Sequence, residues 1–223
     1  LHSKIAITMT VILIVGGTLS FFLLEYANPE TFGGMSWGEK LMAAAFHSVS
    51  TRTAGFATVS QAGLTNGSKF ITCLLMFIGG SPAGTAGGIK TTTIAMLVLT
   101  CIAVLKGKRD TECFGRRISA ENVRTGLMVV MLAFGFLMTG TVIVSVLEPG
   151  INFLNVLYET TSAIATVGLS ADVTPNLGTA SKCVIIAMMY IGRIGPVTMA
   201  LVFERGHSKD RVRVLPEKRI LVG

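Results

Sequence analysis

Long apolar stretches divide this chain. Residues 5–24 and 125–147 carry no charge, and residues 183–203 are interrupted only by Arg193. Each run is long enough to cross about 30 Å of hydrocarbon as a helix. Residues 70–105 behave differently. They hold one charge, Lys90, but as a single straight helix they would reach about 54 Å. Their middle reads Gly79, Gly80, Ser81, Pro82, Ala83, Gly84, Thr85, Ala86, Gly87, Gly88. That composition breaks helices, because Gly costs about 1 and Pro about 3 kcal/mol relative to Ala. The pattern predicts a broken span: a half-helix, a non-helical stretch, then a second half-helix. Irregular backbone is tolerated at membrane depth only where it packs in protein or lines a watery cavity. The fold class expected is all-α and membrane-integral, with four spans.

Two further segments, residues 37–49 and 152–165, are moderately apolar and too short to span, as re-entrant helices are. Each leads into a glycine-containing tract, Thr53-Ala54-Gly55-Phe56 and Thr166-Val167-Gly168-Leu169. An offset of 113 superposes the tracts, lays residues 38–47 on 151–160 and brings the flanking spans into approximate register. The chain therefore reads as two copies of span, pore helix, Thr-x-Gly tract and span. That period far exceeds a solenoid repeat. The expected organisation is one repeat over residues 1–110, a second over 111–203 and a basic tail over 204–223.

Composition agrees with a membrane protein. Of 223 residues, 51% are hydrophobic and 14% charged, against about 25% charged in soluble domains. A net charge of +7 would raise nucleic acid as a partner, but 12 of the 19 Lys and Arg fall within residues 106–124 and 204–223. The positive-inside rule places both segments, and Lys4, in the cytoplasm, so both ends lie inside and the protein sits in the cell membrane. The opposite side receives Glu25, Glu30, Glu39, Glu148, Glu159 and Asp172. Cys73, Cys101, Cys113 and Cys183 form no close pair, and His2, His47 and His207 are scattered. Neither a metal site nor a nucleophile–base constellation is indicated, which argues against an enzyme. Leu1 opens almost directly onto an apolar run, as a fragment or processed chain would. That run is too long, and lacks the cleavage site, for a signal peptide.

The candidate chemistry lies in the glycine tracts. A dehydrating cation needs a ring of oxygens, which backbone carbonyls supply without formal charge, and a Thr hydroxyl adds another. Thr166-Val167-Gly168 matches the start of the potassium-channel Thr-Val-Gly-Tyr-Gly filter, with Leu169-Ser170 replacing its end, and Thr53-Ala54-Gly55 is looser. In the broken span, Gly80, Gly84 and Gly88 form a small-x-x-x-small row that packing alone could require. Gly79, Pro82 and Gly87 are surplus to that explanation and favour a loop. A P-loop fails because Ile89 stands where Gly must precede Lys90. Arg193 lies mid-span, where insertion costs about 2.5–3.5 kcal/mol. With no carboxylate inside any span, a carbonyl-rich loop is its expected partner, and Pro196 should kink its helix. Arg52 is either an electrostatic element beside Thr53 or a brace to Glu159 or another acid. Glu39, Glu159 and Asp172 either steer cations to the mouth or form a solvated rim. Met188, Met189 and Met199 are expected in packing.

Residues 46–56, 79–90, 161–168 and 190–196 together resemble the Trk/Ktr/HKT superfamily of potassium transporters, nearest its KtrB-type membrane subunits, over essentially the whole chain. The resemblance implies potassium uptake through a filter at Thr53, Ala54, Gly55, Thr166, Val167 and Gly168. It makes 79–88, ending near Lys90, an intramembrane gate loop beneath that filter, with Arg193 as a pore-control charge. Family members carry four such repeats, and this chain resembles the third and fourth, with the first and second expected in the same polypeptide. The implied partners are a second copy, giving a homodimer, and an octameric KtrA-like ring of cytosolic RCK-domain subunits. That ring would bind ATP or ADP and c-di-AMP, and Na+ would act as an activator. The alternative is a non-conducting four-span assembly protein whose basic loops bind anionic lipid. The duplicated re-entrant segment is not required by that alternative.

Overall fold

Helix α1, His2–Glu25, is the first long apolar element of the computed structural model, which describes residues 2–82, 84, 86–108 and 110–195. It is followed by α2 (Trp37–Ser50), α3 (Asn66–Phe77), α4 (Thr91–Leu105), α5 (Ala120–Leu147), α6 (Phe153–Ile164) and α7 (Thr179–Ile194). Helices α1 and α5 are long and apolar enough to cross a membrane. The broken span is broken where its glycines predict. Helices α3 and α4 have 12 and 15 residues, or about 18 and 22 Å. Helix α7 starts four residues ahead of the apolar run that holds Arg193, while residues 196–203, Pro196 and Met199 among them, and the 204–223 tail lie outside the described residues. One addition to the all-α expectation is a small hairpin between α4 and α5. It pairs β1 (Glu112–Cys113) with β2 (Arg116–Arg117).

The 113-residue register holds best for α3 and α7, whose first residues are 113 apart. It drifts in the first spans, where α1 and α5 end 122 residues apart. The cause is local. Eleven residues join α1 to α2, but only five join α5 to α6.

Each short helix has a polar start that explains its boundary. The Ser36 N–H donates to Glu39 Oε2 at 2.7 Å ahead of α2. Asn152 Oδ1 accepts from the Leu154 N–H at 2.9 Å ahead of α6. These contacts satisfy donors that a helix N-terminus leaves open.

Two further caps tie each span to the next. Glu25, the last residue of α1, accepts from the Thr65 N–H at 2.9 Å and from its hydroxyl at 2.7 Å, just before α3. Glu148, just after α5, accepts from the Gly178 N–H and the Ser181 hydroxyl, both at 2.7 Å, at the start of α7.

Helix α6 is the centre of the larger core and packs on α3, α5 and α7. Its Val156, Tyr158 and Ile164 are buried with Leu137 and Val144 of α5 and with Ile185 and Met188 of α7. Met188 thus packs as expected, against Gly140, whereas Met189 is 47% exposed and faces outward. A smaller core joins Phe21 of α1 to Ala43 and Ala44 of α2 and Leu75 of α3. In a bilayer, close fit rather than expulsion of water drives helices together. Helix α7 presses so near to α6 that a β-carbon on Gly192 would overlap the Ile164 carbonyl.

Candidate functional site: two glycine tracts and a loop in contact

Both tracts leave the C-terminus of a short helix by the same conformational route. After α2, the Ala54 and Gly55 N–H groups donate to the Ser50 carbonyl at 3.1 and 3.2 Å. After α6, the Thr166 N–H donates to the Ala163 carbonyl at 3.1 Å, and the Val167 N–H to the Ser162 carbonyl at 2.9 Å. The Gly168 N–H then donates to Ser162 Oγ at 3.2 Å. Thr53 and Thr166 have φ of 71° and 53°, and Gly55 and Gly168 have 76° and 96°. Glycine takes this left-handed backbone freely, but a non-glycine residue pays about 1–2 kcal/mol. A β-branched residue there is an outlier that persists only where its surroundings hold it. The same two positions of each tract carry it, 113 residues apart.

The tracts also meet. A β-carbon on Gly55 would overlap the Val167 carbonyl oxygen, and one on Gly168 would stand 3.7 Å from the Gly55 Cα. Of the six residues of the sequence reading, Thr53, Ala54, Gly55, Thr166, Val167 and Gly168, the structure brings the two tracts together at Gly55, Val167 and Gly168. The six residues carry backbone carbonyls and two Thr hydroxyls, and none has a formal charge.

The segment between α3 and α4 folds back to close against the second tract. Its two ends are pinned together by the Ile89 N–H donating to the Phe77 carbonyl at 3.1 Å and the Thr91 N–H to the Gly80 carbonyl at 3.2 Å. Between them, a β-carbon on Gly87 would collide with the Thr166 hydroxyl and the Ala165 carbonyl. Lys90 donates to the Ala86 carbonyl across the base of the loop. Residues 79–88 include no helical residue among those described, so Gly80, Gly84 and Gly88 do not form a helix-packing stripe. Ala83 and Thr85 lie outside the described residues. Gly79, Gly80, Ser81, Pro82, Gly84, Ala86, Gly87 and Gly88 are described. Arg193, in the last turn of α7, lines a hollow of about 990 Å³ together with Gly84, Ala86, Gly87, Lys90 and Asn122.

Arg52 and Glu159 do not pair. Arg52 Nη2 reaches Thr10 Oγ1 of α1 at 3.4 Å. Glu159 is 5% exposed and belongs neither to a solvated rim nor to a steering surface. Its Oε1 accepts from the Ser170 hydroxyl and from the Val173 and Thr174 N–H groups at 3.1 and 3.4 Å, and its Oε2 from the Thr174 hydroxyl at 3.1 Å. Helix α6 aims Glu159 at the loop that follows its own tract. Glu39 and Asp172 are exposed.

Sequence patterning missed the partners of Tyr158, whose hydroxyl donates to Gln61 Oε1 at 2.7 Å, and the caps made by Glu25 and Glu148. One signal for the caps was available. Both acids close an apolar run, and the next run opens on residues with N–H groups to satisfy.

The model of the TrkH family, cation transport proteins, matches residues 3–213. The Ktr system potassium uptake protein B of Bacillus subtilis (strain 168) is 40% identical over 94% of this chain and 47% of its own length. That of Vibrio alginolyticus is 35% identical over 100% of this chain and 48% of its own. The potassium/sodium uptake protein NtpJ of Enterococcus hirae is 34% identical over 100% of this chain and 50% of its own. The crystal structure of the potassium transporter TrkH from Vibrio parahaemolyticus superposes with a TM-score of 0.73 at 20% identity, covering 90% of this chain and 44% of that one. The chain spans about half the length of the relatives it matches. With a family match across nearly all its residues and a shared helical fold, this chain belongs to the TrkH family of membrane-embedded cation transport proteins.

Proposed function

We propose that this chain supplies half of a potassium-selective pore and takes part in K+ uptake. Thr53, Ala54, Gly55, Thr166, Val167 and Gly168 coordinate the ion with backbone carbonyls and Thr hydroxyls, and the 79–90 segment is the gate beneath them. One observation carries this reading: two tracts of matching backbone meet at Gly55 and Val167, with Gly87 pressed under Thr166. A carbonyl-lined site strips a cation of water without a fixed charge, and a loop in contact with its underside is placed to interrupt it. Relatives named as potassium uptake proteins support K+ as the cargo, and a potassium/sodium uptake relative supports a role for Na+.

In this proposal residues 1–110 and 111–203 are two repeats resembling the third and fourth of a four-repeat pore, and the remaining two complete the ring. Both ends of the segment face the cytoplasm, as the basic 106–124 and 204–223 segments favour. These segments are the docking face for an octameric RCK-domain ring beneath a homodimer, and the regulatory nucleotide binds that ring. Arg193 sets the barrier for cations beside the gate loop.

The test is flux in liposomes. The protein should pass K+ well ahead of Na+, and Gly168→Ser should abolish that preference. Unchanged discrimination in Gly168→Ser sinks the filter assignment. K+ or Rb+ should also raise the melting temperature above its value in Li+, as ligands do for the state that binds them.

A further inference from the structure

Tyr158 and Glu159 are consecutive residues of α6, and both are buried. Successive helical residues point about 100° apart, so the pair reaches two different places. Tyr158, 0% exposed, donates its hydroxyl to Gln61 Oε1 at 2.7 Å. Gln61 sits in the loop after the first glycine tract and holds that loop through its Nε2, which donates to the Val59 carbonyl at 2.8 Å. Glu159 gathers Ser170, Val173 and Thr174, the loop after the second tract. One helix therefore grips the outer ends of both tracts, whose glycines meet at Gly55 and Gly168. Nothing matches Glu159 in the first repeat, where the same offset of 113 falls on Phe46. Helix α2 holds its own tract through the Ser50 hydroxyl, which donates to the Phe56 carbonyl, whereas α6 reaches the loops after both tracts.

We infer that Tyr158 and Glu159 are positioning residues that fix the spacing of the two tracts and thereby set ion discrimination, an inference that rests on the filter reading above. Neither side chain touches the ion in this scheme. Discrimination between K+ and Na+ depends on the number and placement of coordinating oxygens. Both tracts carry left-handed threonines that relax unless held. Two hydrogen-bonded anchors on one rigid helix supply that hold.

The experiment measures the K+/Na+ flux ratio in liposomes for the parent protein, Gly168→Ser, Tyr158→Phe, Gln61→Ala, Glu159→Gln and Ser170→Ala. Tyr158→Phe and Gln61→Ala should each lower the ratio about fivefold to tenfold, the factor that one buried hydrogen bond supplies. Their combination should do no more than either alone, because they break one bond from two sides. Glu159→Gln should lower the ratio further than Ser170→Ala, and total K+ flux should persist in all four. A merely structural role would move melting temperature and yield and leave the ratio alone. Where an α6 variant fails to fold, the loop variants Gln61→Ala and Ser170→Ala carry the test. A selective parent, an unselective Gly168→Ser and unaltered ratios in the four variants overturn this inference and leave the filter standing. A parent without K+ preference overturns both.

Discussion

Gly87 lies against Thr166 with no space for a β-carbon between its own backbone and the Thr166 hydroxyl and Ala165 carbonyl. The two residues lie 79 positions apart, and each belongs to an irregular segment that begins where a helix stops. Their contact joins the tract cluster to the loop. A methyl group added there cannot be accommodated by a side-chain rotation alone, because one of the two obstacles is backbone. Overpacking of this kind costs about 1–3 kcal/mol. On the proposed gate reading, Gly87→Ala should displace the loop and raise K+ flux by about tenfold, since about 1.4 kcal/mol is a factor of ten. Deletions within residues 80–88 should act in the same direction. Flux from liposomes decides it: a folded Gly87→Ala protein with parental flux would mean the loop does not limit passage.

Thr10 of α1 is a joint between the two sides of that contact. Its hydroxyl accepts from Arg52 Nη2 at 3.4 Å and stands 3.3 Å from Ser81 Oγ. Arg52 precedes the first tract and Ser81 lies in the loop, so one hydroxyl links both. Thr10→Val keeps the shape and removes the link. Expected is a rise in flux with the K+/Na+ ratio preserved, and Ser81→Ala in the same protein should add nothing. A changed ratio with unchanged flux would assign Thr10 to the tracts rather than to the loop.

Glu148 makes stability depend on acid. The Gly178 N–H and then the Ser181 hydroxyl hold its carboxyl below the ordinary value of 4.5. A group whose folded pKa is depressed contributes stability above its unfolded pKa and loses it as pH falls through the folded value. The melting temperature should therefore carry the full contribution of Glu148 near neutrality, where its titration adds no pH dependence, and fall as pH drops below about 4.5. Glu148→Gln retains one acceptor oxygen without the charge. Melting curves from pH 7 downward should show a shallower acid decline for it than for the parent. An identical decline in both would mean that the cap is made equally well by the neutral side chain.

The parts legible in the sequence are those that local composition controls. The break in the second span follows from glycines and a proline at residues 79–88, and the short helices from apolar runs of limited length with polar starts. The tracts were legible because two copies sit 113 residues apart. What was not legible depends on contacts between distant residues. Arg52 could be read as seeking an acid, and only the fold shows Thr10 nearer than Glu159. Glu159 looked like a rim charge because patterning cannot tell that the loop carrying Ser170 and Thr174 curls back onto α6. The register of the first spans drifted because connector lengths carry no hydrophobic signal.

Glycines separate into those that make contacts and those that do not, and the sign of an alanine substitution should follow. Gly192 of α7 faces the Ile164 carbonyl, and a β-carbon there would overlap it. Gly135 of α5 has nothing within 4 Å of such an atom. Alanine is about 1 kcal/mol better than glycine within a helix, so Gly135→Ala should raise the melting temperature. At Gly192 the same gain is outweighed by the overlap, whose cost of about 1–3 kcal/mol falls on backbone that cannot rotate away. Gly192→Ala should lower the melting temperature and, by pushing α7 from the end of α6, disturb the tract that begins two residues later at Thr166. Its effect on the K+/Na+ ratio should therefore exceed that of Gly135→Ala. Thermal unfolding and flux in the two variants provide the check. Equal shifts of the same sign in both would show that α7 is free to move away from α6, contrary to the contact at Ile164.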